Sequence, residues 1–420
     1  MNAVRSPGFW SLTDQGVVSL GNFLIHVLLA RAMSQDLYGI YALMYGVMLV
    51  LNNVHASLVI YPLSVTGATA DREGLLRRCT GASVLTLGLS LLNGAVLMAV
   101  FASSTGFLAA GLAAVALLAW QWQETVRCAF RAHLNHRNAV AGDTVRYLGQ
   151  AAVVGVFCYY GKASLEMAFA AIALASVVAG LIQALQLRLR PIDWESLREM
   201  PVEYWKLGRW VLPAAMLAIL IMQAFPWMLA LLYGSAAAAG FQALANVVGP
   251  VRPVMFSVGN LIIPTVSQAY QAGGLPSATR PAVKYAIQGA VLILPYSALL
   301  FAFPDGALRL LYGSESGYLA LGSSLGLVVV SQVIYYLGHV IGAYLGGLRE
   351  NRFAFLSEVS CALTVMFIGI PLIWTLGLTG AFVALTLAAV AKTGTSLYFC
   401  SRLKLSAEQS PAVLVQAANS

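Results

Sequence analysis

Apolar runs of about twenty residues recur along the whole 420-residue chain, separated by short polar stretches. A helix of that length crosses the hydrocarbon core of a bilayer, which is about 30 Å thick. Only 10% of the residues are charged, 60% are hydrophobic, and the mean hydropathy is +0.79. A soluble domain carries about 25% charged residues, so this chain cannot cover its apolar mass with a polar shell. The runs fall at 11–31, 39–62, 81–102, 107–126, 140–158, 165–187, 211–233, 239–264, 283–304, 318–345, 355–374 and 380–400. Each is far longer than a barrel strand, so the expectation is an all-α integral membrane protein with about 12 transmembrane helices. The first run carries Asp14, Gln15, Asn22 and His26 with no small-residue cleavage site behind it, and is expected to stay as a membrane helix.

The net charge of +8 is distributed by side of the membrane. With the N-terminus in the cytoplasm, the cytoplasmic loops hold Arg5, Arg72, Arg77, Arg78, Arg127, Arg131, Arg137, Arg188, Arg190, Arg198, Lys206, Arg209, Arg280, Lys284, Arg349, Arg352, Arg402 and Lys404. The other side holds only Arg31, Lys162 and Arg309. Shifting the count by one helix would destroy that bias, so an even number of spans with both termini cytoplasmic is expected. The basic charge is therefore a topology signal and implies no nucleic-acid partner. The outer loops are all short, which disfavours a membrane glycosyltransferase or polymerase that must hold an acceptor outside. There is no phosphate-binding loop, no His-Glu-x-x-His and no spaced His/Cys set, so no catalytic residues, metal or cofactor are expected, nor an enzyme. Cys79, Cys128, Cys158, Cys361 and Cys400 lie mostly in or at the ends of apolar runs and read as packing residues.

The chain repeats itself weakly. Gly39-Ile-Tyr-Ala42-Leu43 matches Gly240-Phe-Gln-Ala243-Leu244, with Trp10 and Trp210 at similar distances upstream. Ile60-Tyr-Pro62-Leu-Ser64 matches Ile262-Ile-Pro264-Thr-Val-Ser267. Six spans separate equivalent points, so the halves share one orientation and form two six-helix bundles with a parallel pseudo-two-fold repeat. The expected organisation is an N-terminal lobe at 1–190, an interfacial linker at 191–210, a C-terminal lobe at 211–402 and a disordered tail at 403–420. Trp194, Trp205, Lys206 and Trp210 suit a linker lying at headgroup depth. Such a repeat implies a two-lobed transporter with its pathway between the lobes.

Polar residues inside the spans each need a reason, because a charged group at mid-bilayer costs about 2.5–3.5 kcal/mol on insertion scales. Gln15, Ser19, Asn22 and His26 form a narrow stripe on the first span; Tyr41, Tyr45, Asn52 and His55 do so on the second. The eighth span carries Gln242, Asn246 and Asn260, and the tenth Gln332, Tyr336 and His339. Helix-to-helix hydrogen bonding explains any single stripe; stripes on equivalent spans of both halves point instead to a hydrated cavity. Tyrosines there could pack on a sugar face and hydrogen-bond through the hydroxyl.

The deep cations are sharper. Arg252 sits in Gly249-Pro250-Val251-Arg252-Pro253, where two prolines free backbone groups and an arginine suits a phosphate; a snorkelling or salt-bridged arginine is the alternative. Arg146 could pair with Asp143 on its own helix or meet a substrate. Lys392 has no acid one turn away on its helix, leaving a partner elsewhere or a substrate. Arg31 ends the first span, where it can cap the helix. Asp14 and Asp143 are candidates for ion coupling, while Glu124, Glu166 and Glu358 near span ends read as interfacial. The glycines at 338, 342 and 346 read as a close helix-packing run.

The stretch Phe23-Leu-Ile-His-Val-Leu-Leu-Ala30-Arg31-Ala-Met-Ser-Gln-Asp-Leu-Tyr38-Gly39-Ile-Tyr41 resembles the opening signature of polysaccharide-biosynthesis membrane proteins. These are the Wzx-type flippases of the multidrug/oligosaccharidyl-lipid/polysaccharide (MOP) superfamily. Ile262-Ile-Pro264-Thr-Val-Ser267 resembles the Pro-x-x-Ser that closes that family's eighth helix, and length and topology agree over nearly the whole chain. The resemblance implies two helix bundles forming a V, in a bacterial inner membrane. It further implies translocation of an undecaprenyl-diphosphate-linked oligosaccharide to the periplasmic leaflet by alternating access, for O-antigen, exopolysaccharide or capsule synthesis. Membrane lipids and a periplasmic polymerase with its chain-length machinery are the partners it implies. Residue by residue, the resemblance reaches only Arg31, Gly39 and Pro264. The remaining substrate candidates (Arg252, Lys392, Arg146, Asn22, His26, Tyr41, Tyr45, Asn52, Asn246, Tyr336 and His339) rest on depth and polarity. A multidrug antiporter on the same fold is the rival, and a non-transporting scaffold would leave the polar stripes without a wet path.

Overall fold

Every regular element is helical in the computed structural model, which describes residues 7–133, 136–189, 191, 193–348 and 350–418. Helix α1 covers Pro7–Ala32, and α2 runs from Gln35 through a wide π-type turn at Ala56–Ile60 to Ala68. Helices α3 (Arg72–Thr105), α4 (Phe107–Ala132), α5 (136–159, with a π-type turn at Thr144–Leu148) and α6 (Leu165–Leu187) follow. A short amphipathic helix, α7 (Trp194–Gly208), leads to α8 (Val211–Tyr233) and α9 (Ser235–Val247). The next long helical stretch breaks at Gly273 and Gly274 into α10 (251–272) and α11 (275–302). Then come α12 (Pro304–Tyr312), α13 (Gly317–Gly347), α14 (351–376, with a π-type turn at Val365–Gly369) and α15 (378–418). The last two meet at Gly377, whose φ of 57° favours glycine. The stretch beyond residue 403, read from its polar composition as disordered, continues α15 as helix to Ala418; its Ala, Glu, Gln and Leu residues are good helix formers.

Eight helical stretches are by themselves long and apolar enough to cross a membrane. Two of them are split by the glycine breaks, and α4 and α5, richer in polar side chains, complete twelve segments among the described residues. They match the runs of the sequence except that the eighth, 239–264, is interrupted at 248–250 and divided between α9 and α10. Helix starts are marked as capping chemistry requires: Ser34 Oγ accepts from Leu37 N (3.3 Å), Asp71 Oδ1 from Gly74 N (2.9 Å) and Ser164 Oγ from Met167 N (3.1 Å).

The chain packs as two compact units, one comprising Met1–Ala230 with Gly234–Gln242, the other Leu231–Tyr233 with Ala243–Ser420. In the first, α4 packs on both α3 and α6; its buried row of Ala109, Ala113, Ala116 and Leu117 lets the backbones approach. Helix α8 joins this unit because Gln223 Nε2 donates to Gly46 O (3.3 Å). The start of α9 joins it because Ser235 lies against Gly39, where a Cβ would stand 1.9 Å from Ser235 O. Helix α7 docks through buried Met200 and Tyr204 onto α2, α3 and α4, with Arg78 Nη1 3.1 Å from Glu203, while Trp194, Trp205 and Trp210 stay exposed. Burial raises the Tyr204 hydroxyl above its ordinary pKa.

In the second unit, α10, α11 and α13 share one apolar core built on Met255, Val258, Ile262, Ile293 and Tyr336. The two halves of the chain share one local feature: α5 and α14 each carry a π-type turn near the middle. Of the two matched glycines, Gly39 lies in α2 and Gly240 in the 13-residue α9.

Candidate functional site

The first unit buries a set of ion pairs where the start of α1, the end of α4 and the start of α5 meet. Arg127 is 4% exposed. Its Nη2 lies 2.6 Å from Asp14 Oδ2, its Nε 2.6 Å from Asp143 Oδ2, and its Nη1 2.8 Å from Glu124 Oε1. Gln123 completes the set, donating through Nε2 to Asp143 Oδ1 (3.2 Å) and Gln183 Oε1 (3.0 Å) and accepting from Arg146 Nη1 at Oε1 (2.6 Å). Arg146 also stands 3.6 Å from Glu124. Asp143 and Arg146 therefore do not form the intrahelical pair that their spacing allowed. The π-type turn between them widens the helix by one residue, so i and i+3 no longer share a face. Glu124, read from its position as interfacial, is part of this set and its side chain is only 15% exposed.

Beside the ion pairs lies an aromatic box. The Arg146 guanidinium sits 5.0 Å from the Trp120 ring and 4.5 Å from the Tyr147 ring. Trp120 stacks on Tyr45 (5.8 Å), Tyr45 on Tyr41 (6.0 Å), and Tyr41 on Tyr38 (6.2 Å). His26 meets Tyr41 and Tyr45 edge-on, and its Nδ1 lies 3.2 Å from the Tyr38 hydroxyl. Asn22 and Gln150 line the same small pocket. Four of the polar positions read from sequence (Asn22, His26, Tyr41 and Tyr45) thus converge around Arg146, packed tightly rather than around an open chamber. Of the others in this unit, Asn52 keeps a buried Oδ1 without a partner, and His55 is bonded to the Thr86 and Thr125 hydroxyls (3.0 and 3.2 Å). Arg31 is exposed in the last turn of α1.

The second unit contains an open cleft of about 350 Å³. Phe256, Gly259 and Asn260 of α10 line it, with Gly338, His339, Gly342 and Gly346 of α13, Phe355, Ser357 and Glu358 of α14, and Lys392 and Ser396 of α15. Lys392 is buried, pairs with the Glu358 carboxylate, donates to the Tyr335 hydroxyl (3.2 Å) and lies 4.3 Å from that ring's centre. The acid for Lys392 is Glu358 on a neighbouring helix, which sequence spacing does not reveal. Arg252 is exposed and, among the described residues, makes no ion pair or hydrogen bond through its side chain. The helix is broken at residues 248–250 just before it, as the two prolines required, and the freed carbonyl of Val247 accepts from the Tyr296 hydroxyl (2.6 Å).

Two other candidates are placed away from the cleft. Tyr336 is buried and donates to Ala286 O (2.7 Å), tying α13 to α11; its neighbour Tyr335 is the tyrosine that reaches Lys392. Asn246 is buried against the Tyr312 hydroxyl. The glycine run divides: at Gly338 a Cβ would stand 2.6 Å from Thr393 Oγ1, a close packing contact, whereas at Gly342 nothing lies within 4 Å and the missing side chain leaves the cleft open. Arg127, Gln123, Trp120, Glu358 and Tyr335 were not singled out as site residues from sequence. The polar run Gln121-Trp-Gln-Glu-Thr-Val-Arg127 inside an apolar helix was the available signal for the first two.

No protein-family model matches the sequence, and no curated protein matches it. Solved structures do. An inward-facing multidrug resistance MATE family transporter of the MOP superfamily superposes with a TM-score of 0.78 at 16% identity, covering 93% of this chain and 95% of the other. An outward-facing one gives 0.66 at 16% identity, covering 94% of each. A MOP superfamily transporter from Pyrococcus furiosus, whose binding pocket of reverse polarity suggests a different function, gives 0.63 at 16% identity over 94% and 93%. The chain is a multi-pass, all-helical membrane protein with the fold of the MOP superfamily transporters.

Proposed function

We propose that the chain is a MOP-type transporter whose cargo is an anionic, lipid-linked glycan: an undecaprenyl-diphosphate-linked repeat unit moved from the cytoplasmic to the periplasmic leaflet of a bacterial inner membrane. Both termini face the cytoplasm in this reading, and a periplasmic polymerase would use the product. The observation that carries it is Arg252, an exposed guanidinium with no counter-ion among the described residues. Such a group suits a diphosphate, which its planar fork can hold through two parallel hydrogen bonds. Arg146 and Lys392 are further deep cations, and Asn22, His26, Tyr41, Tyr45, Asn52, Asn246, Tyr336, His339 and Arg31 are the polar positions around the path. Cargo would cross by alternating access, each state exposing the bound headgroup to one side only.

Asp14 and Asp143 supply the coupling in this scheme. Both carboxylates share the Arg127 guanidinium, and with Glu124 they make three carboxylates around the buried Arg127 and Arg146. The set is one positive charge short unless the partly exposed Arg131, 3.9 Å from Glu124, contributes. In this scheme a proton taken up by the set during transport balances it.

The test is flipping of a lipid-diphosphate-linked oligosaccharide in proteoliposomes, wild type beside Arg252→Ala. Wild type should flip, and the variant should lose about tenfold or more, the worth of a charge-assisted hydrogen bond. Equal rates at equal protein levels would remove Arg252 from the site. A second reading, ion-coupled multidrug antiport, draws on the multidrug transporters among the structures of like fold. Efflux of cationic dyes by liposomes that flip no lipid-linked glycan would favour it.

A further inference from the structure

A lysine buried among membrane helices requires a counter-charge, and Lys392 takes one from Glu358 on the neighbouring helix. The two partners are unequal: the Lys392 side chain is 4% exposed and that of Glu358 52%. The exposed carboxylate gives up little by turning to solvent, but the buried ammonium cannot be left bare. Glu358 can therefore leave only if another anion takes its place.

The cleft also offers apolar surface: Phe256 and Phe355 present exposed rings. A buried ammonium whose counter-ion can be exchanged, beside flat apolar walls, is the usual equipment of a site for a charged sugar. The volume, about 350 Å³, lies at the small end of ligand pockets, which run from about 300 to 1,000 Å³. One ring fits within it, and a longer glycan would extend through its open side.

We propose that this cleft binds a single pyranose ring bearing one anionic group, the anion replacing Glu358 on Lys392. An aromatic wall then covers the apolar face of the ring. Glu358 is a resident competitor: it neutralises Lys392 while the cleft is empty, and once displaced it accepts a hydrogen bond from a sugar hydroxyl or faces solvent. The assignment rests on the anionic-glycan reading above and deepens it, by naming the part of the cargo that this unit recognises. The anionic group could be the carboxylate of an acidic sugar or a phosphate ester.

Isothermal titration of the full-length protein in detergent with D-glucuronate, glucose 1-phosphate and glucose tests this. The anionic sugars should bind and glucose should not, the tighter of the two naming the source of the charge. Glu358→Gln should tighten anionic-sugar binding about fivefold or more, because the competitor is gone, while Lys392→Met should abolish it. Gly342→Leu fills the cleft from a position with free space around it, so it should abolish binding with an unchanged melting temperature, which covers the case in which Lys392→Met fails to fold. Binding of glucose as tight as glucuronate, no binding of either anionic sugar, weakening by Glu358→Gln, or binding unaffected by Gly342→Leu would each overturn the proposal. Flipping of lipid-linked glycans serves as the separate arm. Flipping without binding defeats this subsite alone, and binding without flipping defeats the transport reading alone.

Discussion

At the scale of single residues, close approach and charge balance set the tolerances. Gly39 sits where the α9 backbone crosses α2, and any side chain there would meet the carbonyl of Ser235 rather than a flexible group. Gly39→Ala should therefore lower stability by about 1–3 kcal/mol or more, the usual cost of overpacking, read as a fall in melting temperature in detergent. Arg127 answers to three carboxylates. Arg127→Met should cost about 3–5 kcal/mol, the range for stripping a buried ion pair of one partner, because the acids are then uncompensated. Adding Asp14→Asn and Asp143→Asn should recover part of that loss in the same thermal unfolding experiment. A triple variant no more stable than Arg127→Met would mean that the arginine acts through packing instead.

At the scale of elements, the wide turns and the docked α7 helix matter most. The π-type turn at Thr144–Leu148 changes which residues share a face of α5, sending Asp143 to Arg127 and Arg146 to Gln123 and the aromatic box. A uniform helical wheel cannot foresee that change of phase, which is why the Asp143–Arg146 pairing looked available in the sequence. Helix α7 packs Met200 against Gly81, where a Cβ would stand 2.4 Å from Met200 Sδ and a larger side chain would occupy the place of Met200. Gly81→Leu should undock α7 from α3 while leaving the spans folded. Faster hydrogen exchange or proteolysis at residues 194–208 would show it, and unchanged protection there would refute the docking contact.

At the scale of the whole molecule, coupling and cargo have to be separated by experiment. Asp14→Asn with Asp143→Asn should abolish the response of flipping to an imposed proton gradient while leaving slow equilibration between leaflets. Retention of the gradient response would assign coupling elsewhere. The two packed units also show how far an element can be displaced from its place in the chain. Helix α8 follows the linker, yet most of it packs within the first unit, because Gln223 finds the Gly46 carbonyl there.

Twelve membrane segments and their helical nature could be read from the sequence alone, whereas the eighth run, read as one span, is broken at 248–250 just before Arg252. What could be read follows from local quantities: the length of an apolar run, the spacing of glycines and prolines, a capping side chain. The convergence of Asn22, His26, Tyr41 and Tyr45 was legible as stripes, since residues on one face of a helix stay together wherever the helix goes. The partners were not legible. Arg127 serves Asp14 across 113 residues, and Lys392 serves Glu358 across 34. No pattern along a helix specifies which face of another helix it will meet. Only the packed structure decides that, because the cost of burying a charge is met by whichever opposite charge the neighbouring helix brings within reach.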